Sequence, residues 1–113
     1  MNVVILHGRL SSAPKEKDLE SGSVLLRYEV TVPREGDNAE SVPVSWFREE
    51  GDEVAPALGT GDEVVVVGRV RRRWWQSPGG ARSSTEVVAE SVELAADKAV
   101  VAAARKAAKA LIR

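Results

Sequence analysis

With 113 residues the chain fits one domain, and its lack of cysteine excludes a disulfide scaffold, a thiolate metal site and a cysteine nucleophile. One histidine argues against a histidine-rich metal centre and a Ser-His-Asp triad. No apolar run approaches the ~20 residues that span a bilayer, and the N-terminus lacks a signal peptide's basic lead, so a soluble, cytoplasmic protein with no membrane partner is expected. The net charge of −1 hides an uneven distribution. Residues 94–113 carry five basic groups and one acid, net +4, whereas residues 1–93 carry 11 basic and 16 acidic groups, net −5. Within that acidic stretch Arg69, Arg71, Arg72 and Arg73 fall within five positions and set a positive local potential.

Val3–Leu10 is rich in β-branched residues, stops at Ser11-Ser12-Ala13-Pro14 and reads as a strand. Lys15–Ser23 is polar and reads as a connection, with Ser21-Gly22-Ser23 as its turn. Val24–Val32 alternates, placing Leu26, Tyr28, Val30 and Val32 on a core face opposite Arg27, Glu29 and Thr31. After the charged Pro33–Glu40 loop, Val42–Phe47 forms a third strand, with Val42, Val44 and Trp46 inward and Ser45 and Phe47 outward. Pro43 has no backbone donor, so a sheet edge or a break in pairing is expected there. Val54 and Leu58, spaced i,i+4, suggest a short helix within Arg48–Leu58, limited by Gly51 and Pro56. Val64–Trp75 is the longest strand; Gln76–Ser84, with Pro78-Gly79-Gly80, is its hairpin loop, and Thr85–Leu94 returns.

Five strands with a helix between the third and fourth predict a five-stranded Greek-key barrel of the OB type over residues 1–94. Residues 95–113 are alanine-rich without glycine or proline. Val100, Val101, Ala104, Ala107, Ala108, Leu111 and Ile112 trace one apolar stripe, so a basic amphipathic C-terminal helix is expected.

No phosphate loop, nucleophile elbow or paired metal ligands occur, which points away from an enzyme and implies no cofactor or metal. His7 faces away from Leu6 and Leu10 and reads as a surface or groove-lining side chain. The chemistry lies in Gly68–Trp75, where period two projects Arg69, Arg71, Arg73 and Trp75 from one face. Guanidiniums pair with phosphates, and an indole offers a flat surface to an unstacked base. A solvated edge strand with a tryptophan capping the core is the plainer alternative. Phe47, on the polar face of its strand, is a second stacking candidate, whereas Trp46 and Tyr28 belong to the core. Arg9, Arg27 and Arg34 are further candidate phosphate contacts. Val3 and Ile5 are two outward aliphatics on the first strand and suggest an edge that pairs with another subunit.

Asn2–Leu10 followed by Pro14 and Gly22, Gly61–Val70, and Arg71-x-Arg73-x-Trp75 followed by Thr85–Ala89 together resemble bacterial single-stranded DNA-binding proteins over about residues 2–93. The resemblance implies an OB fold and sequence-independent binding of single-stranded DNA in replication, repair or recombination. It supports Trp75 and Phe47 as stacking positions, Arg71 and Arg73 as phosphate contacts, and a homodimer or homotetramer formed through the first strand. It also implies replication or repair proteins as partners and a nucleoid-associated location. Ser41 and Pro43 stand where the family has an aromatic and a basic residue, and the Pro33–Glu40 loop lacks the family's tryptophan. Weaker binding or a smaller site follows, and the basic C-terminal helix in place of an acidic tail suggests a specialised paralogue. The competing readings are an OB-fold protein-interaction module docking a partner through its terminal helix, and an RNA-binding or primosome-type adaptor.

Overall fold

The computed structural model describes residues 1–36 and 38–112. Asp37 in the Pro33–Glu40 loop and Arg113 at the end of the predicted helix lie outside the described residues. The elements are β1 (Val4–Leu10), β2 (Lys15–Asp18), β3 (Val24–Val32), β4 (Glu40–Arg48), β5 (Glu63–Ser77), β6 (Gly80–Leu94) and α1 (Lys98–Leu111). Their sheet order is β1-β5-β6-β4-β3-β2, and β1 also pairs with β3 through Arg9↔Thr31 and Leu10↔Val30, which closes the barrel. All pairings are antiparallel except β4–β6, which is parallel and limited to Val44↔Val87 and Ser45↔Val88.

The alternating positions supply the core. Tyr28, Val30, Val44, Trp46, Val64, Val66, Val87 and Val92 are buried together, with Leu26, Val32 and Val42 packed against them. Pro43 lies just before the point where pairing with β6 begins at Val44, so its missing donor breaks no ladder on that side. Two glycines mark where strands cross at close range. A Cβ on Gly8 would stand 2.4 Å from the Thr31 carbonyl oxygen, where β1 turns from β5 toward β3. A Cβ on Gly68 would stand 2.1 Å from the Val88 carbonyl oxygen, beside a register shift between Val67 and Gly68 that bends the long hairpin.

Three expectations are corrected. The helix within Arg48–Leu58 is absent: a turn at Glu50-Gly51, with Gly51 at φ +97°, leads into irregular chain, and Arg48 donates to the Glu53 carbonyl. Leu58 still packs on the core, but Val54, its supposed helical neighbour, is 97% exposed. Lys15–Asp18, read as connection, is a short strand on the first half of β3; four alternating charges carry no apolar signature, and only pairing creates it. The loop of the long hairpin is also much shorter than Gln76–Ser84. The β5–β6 ladder continues to Ser77↔Gly80, leaving Pro78-Gly79 as the loop, and Ser83 and Ser84 pair with Trp74 and Arg73. Beyond the contact with β4, the hairpin is therefore a two-stranded arm.

Helix α1 starts at Lys98, three residues later than expected, because the Asp97 side chain accepts from the Ala99 backbone N–H (2.9 Å) and caps it. Its Val100, Ala103, Ala104, Ala107 and Leu111 overlie Val3, Ile5, Val65 and Val67 across a groove of about 500 Å³. No helix among the described residues is long and apolar enough to cross a membrane.

The crossing at Gly68 generates a test. Gly68→Ala forces backbone apart and is expected to destabilise the fold by about 1–3 kcal/mol in urea denaturation. Gly79→Ala, whose Cβ meets nothing nearer than 3.7 Å, should stay within about 0.5 kcal/mol. Equal effects at the two positions would refute the close-approach account.

Candidate nucleic-acid interface

The outward residues of β2, β3, β4, β6 and β5 form one continuous surface, because directly paired residues share a face. One row across it runs Lys15, Arg27 and Ser45, through Lys15↔Arg27 and Arg27↔Ser45. The Ser45 hydroxyl donates to the Glu86 carboxylate (2.8 Å), and Glu86 is paired in turn with Arg71. A neighbouring row runs Lys17, Leu25 and Phe47. Adjacent strands lie ≈ 4.8 Å apart, so these side chains are within reach of one polymer lying across the sheet.

Phe47 is 38% exposed, and the Arg71 guanidinium stands over its ring at 5.4 Å. Arg71 also donates to Glu86, while Arg73 Nε lies 3.5 Å from the same carboxylate and its guanidinium stands 6.0 Å over the Trp75 ring. The alternation read from the sequence thus places Arg71, Arg73, Trp75 and Phe47 on one surface. Arg69 is exposed on the same face, one pleat nearer the barrel. Trp75 is 44% exposed, so it does not cap the core. On the opposite face of the arm, Arg72 stands 5.1 Å over Trp74, which is 66% exposed and has no packing role in the barrel.

The other candidate cations separate into two groups. Arg27 is exposed within the main row. Arg9 pairs with Glu63 (3.6 Å) at the start of β5, about 26 Å of strand from Arg71 at ≈ 3.3 Å per residue. Arg34 is bonded to Glu40 (2.6 Å) beyond the end of β3. Neither is brought to the Phe47 ring. Lys15 and Lys17 were missed as candidates because their strand has no sequence signal; their alternation with Glu16 and Asp18 was the one available hint. Trp46 and Tyr28 are core residues as expected, their rings 6.5 Å apart, with the Arg48 guanidinium 4.0 Å from the Trp46 ring. His7 is half-buried and 3.4 Å from Glu63.

Glu86 is the titratable group that this surface perturbs. Burial by itself pushes its carboxyl up, but hydrogen bonds from Arg71 and Ser45 and the charges of Arg71 and Arg73 more than reverse this. The net effect holds Glu86 below the ordinary glutamate range.

Residues 1–95 match the single-strand binding protein family. The chain belongs to that family. It is 33% identical over 102 residues to a single-stranded DNA-binding protein of Treponema pallidum, covering 83% of this chain and 57% of the relative. It is 33% identical over 101 residues to single-stranded DNA-binding protein 1 of Clostridium acetobutylicum, covering 82% of this chain and 92% of the relative. A single-stranded DNA-binding protein of Fusobacterium nucleatum is 26% identical over 101 residues, covering 82% of this chain and 66% of the relative. The chain thus spans little more than half of the Treponema relative and nearly all of the Clostridium one. Family membership accords with the five-stranded barrel, to which β2 adds a sixth strand on the free half of β3.

The lowered Glu86 pKa predicts an acid limb in stability. A carboxyl depressed in the folded state contributes stability that is complete above its unfolded value and is lost as pH falls through its folded value. The urea midpoint should therefore drop as pH falls from the ordinary glutamate range to below it. Glu86→Gln should flatten that limb relative to wild type, and superimposable pH profiles would refute the assignment.

Proposed function

We propose that this chain is a non-enzymatic, sequence-independent binder of single-stranded DNA acting in replication, repair or recombination, in the cytoplasm and associated with the nucleoid. The observation that carries the reading is the clustering of Phe47, Arg71, Arg73 and Trp75 on one outward surface of a barrel belonging to the single-strand binding family. In this reading unstacked bases lie on Phe47 and Trp75, and phosphates run past Arg69, Arg27, Lys15 and Lys17. Arg71 and Arg73 border the rings, while Arg9 and Arg34, each engaged with a carboxylate, serve a more distant stretch of strand. Family membership favours this reading over the partner-docking and RNA-adaptor alternatives.

Phe47→Ala and Trp75→Ala should each weaken poly-dT binding by about 1–3 kcal/mol, read by tryptophan fluorescence or anisotropy at matched salt. Trp74→Ala, on the opposite face of the arm, should cost less. Equal losses at Trp74 and Trp75 would show that both faces of the arm bind and would overturn the one-surface account.

Salt dependence tests the cation assignment. Four phosphate contacts at roughly 0.7 each give a log–log slope of about −2 to −3 for a single strand. Arg69→Gln should reduce its magnitude by about 0.7. A slope near zero would mean that the basic row is a solvated surface with no part in binding.

The reading extends to a homodimer or homotetramer with Val3 and Ile5 in the contact. Support comes from the apolar groove that these residues share with Ala103, Ala107 and Leu111, which the chain leaves open. Light scattering of the purified chain should give a multiple of the chain mass that falls with Ile5→Glu. A monomer mass at every concentration would exclude it.

A further inference from the structure

A carboxylate at the centre of a phosphate-binding surface needs a reason, because it repels the polyanion. Glu86 occupies that place, with a side chain 5% exposed, between Ser45 on β4 and Arg71 and Arg73 on β5. The cations on this face differ in whether Glu86 is their partner. Arg71 and Arg73, the two that face Glu86, are also the two whose guanidiniums stand over Phe47 and Trp75. Lys15, Lys17, Arg27 and Arg69 lie away from the rings, and Arg82, opposite Trp75 on β6, donates to the Ser77 hydroxyl (3.0 Å); none of the five has an ion pair among the described residues.

A phosphate drawn to Arg71 must compete with a buried carboxylate, and taking the guanidinium away would strand that carboxylate in low dielectric. The carboxylate holds Arg71 through one Nη2 donor and Arg73 by an ion pair at Nε, which keeps both guanidiniums over the rings and gives part of their charge a partner other than phosphate. A polyanion without bases is held mainly by the cations that have no carboxylate partner, whereas a single strand meets those cations and the stacking surface together.

Resting on the single-strand-binding reading above, we propose that Glu86 is a specificity-determining positioning residue that commits Arg71 and Arg73 to the aromatic rings. The face thereby selects polyanions bearing exposed bases over polyanions without them. Two variants test this on the full chain, using labelled poly-dT in fluorescence anisotropy and inorganic polyphosphate, which has no bases, as competitor. Glu86→Gln keeps the shape and removes the charge. It should bind polyphosphate several-fold more tightly, steepen the poly-dT salt slope by about 0.7 to 1.4 for one or two released cations, and narrow the preference for poly-dT. An unchanged or widened preference overturns the proposal. Arg71→Gln should weaken poly-dT binding and leave polyphosphate binding unchanged; equal losses on both polymers overturn the proposal even if Glu86→Gln fails to fold. A wild-type chain that binds neither polymer removes the strand-binding reading itself, which is a separate outcome from an intact preference that ignores Glu86.

Discussion

The parallel contact between β4 and β6 joins the two halves of the barrel through only two residue pairs, and the side-chain bridge Ser45–Glu86–Arg71 reinforces it across three adjacent strands. A buried carboxylate is costly unless it is fully paired, so the bridge holds only when β4, β6 and β5 stand in this register. Because Arg71 is held there, its guanidinium also lies over Phe47, which β4 presents two residues beyond Ser45. The junction that completes the barrel and the proposed binding surface thus share Arg71.

Past that junction no other strand among the described residues pairs with the β5–β6 hairpin. A lone two-stranded ribbon is marginal in water, and the arm meets this with a continuous ladder to Ser77↔Gly80 and an arginine–tryptophan contact on each face. Asn2 steadies its base: the side-chain amide donates to the Val70 carbonyl (2.7 Å) and accepts from the Val70 N–H (2.9 Å), extending the β1–β5 contact ahead of the start of β1 at Val4. The register shift between Val67 and Gly68 bends the ribbon at its base, and Trp75 further along it is 44% exposed.

Helix α1 has an apolar stripe of alanine and valine and buries none of its residues fully, so it shields Val65 and Val67 without merging into the core. Its cations Lys98 and Arg105 stand beside His7 of β1 and Glu63 at the start of β5, whereas the aromatic surface lies over β4 and the second half of β5. The positive charge of the chain is therefore split between two regions, and only one of them is paired with rings.

Period-two alternation in the sequence determined the core strands, the burial of Trp46 and Tyr28, and the shared face of Arg71, Arg73 and Trp75, because a pleated strand leaves no other choice of side. A separate stripe at helical spacing, in a stretch without glycine or proline, determined the amphipathic terminal helix. Neither pattern determined what neighbours each strand. Lys15–Asp18 becomes a strand only by pairing with β3, and Ser83 and Ser84, turn formers by composition, become strand because Arg73 and Trp74 lie opposite. The spacing of Val54 and Leu58 suggested a helix that Gly51 and the Arg48–Glu53 contact replaced with a turn and irregular chain. Glu86 was invisible as a functional residue for the same reason: in sequence it is one acid among many, and its role arises from bringing together Ser45, Arg71 and Arg73, up to 41 residues away. Local periodicity fixes which way a side chain points; only tertiary pairing fixes what it meets.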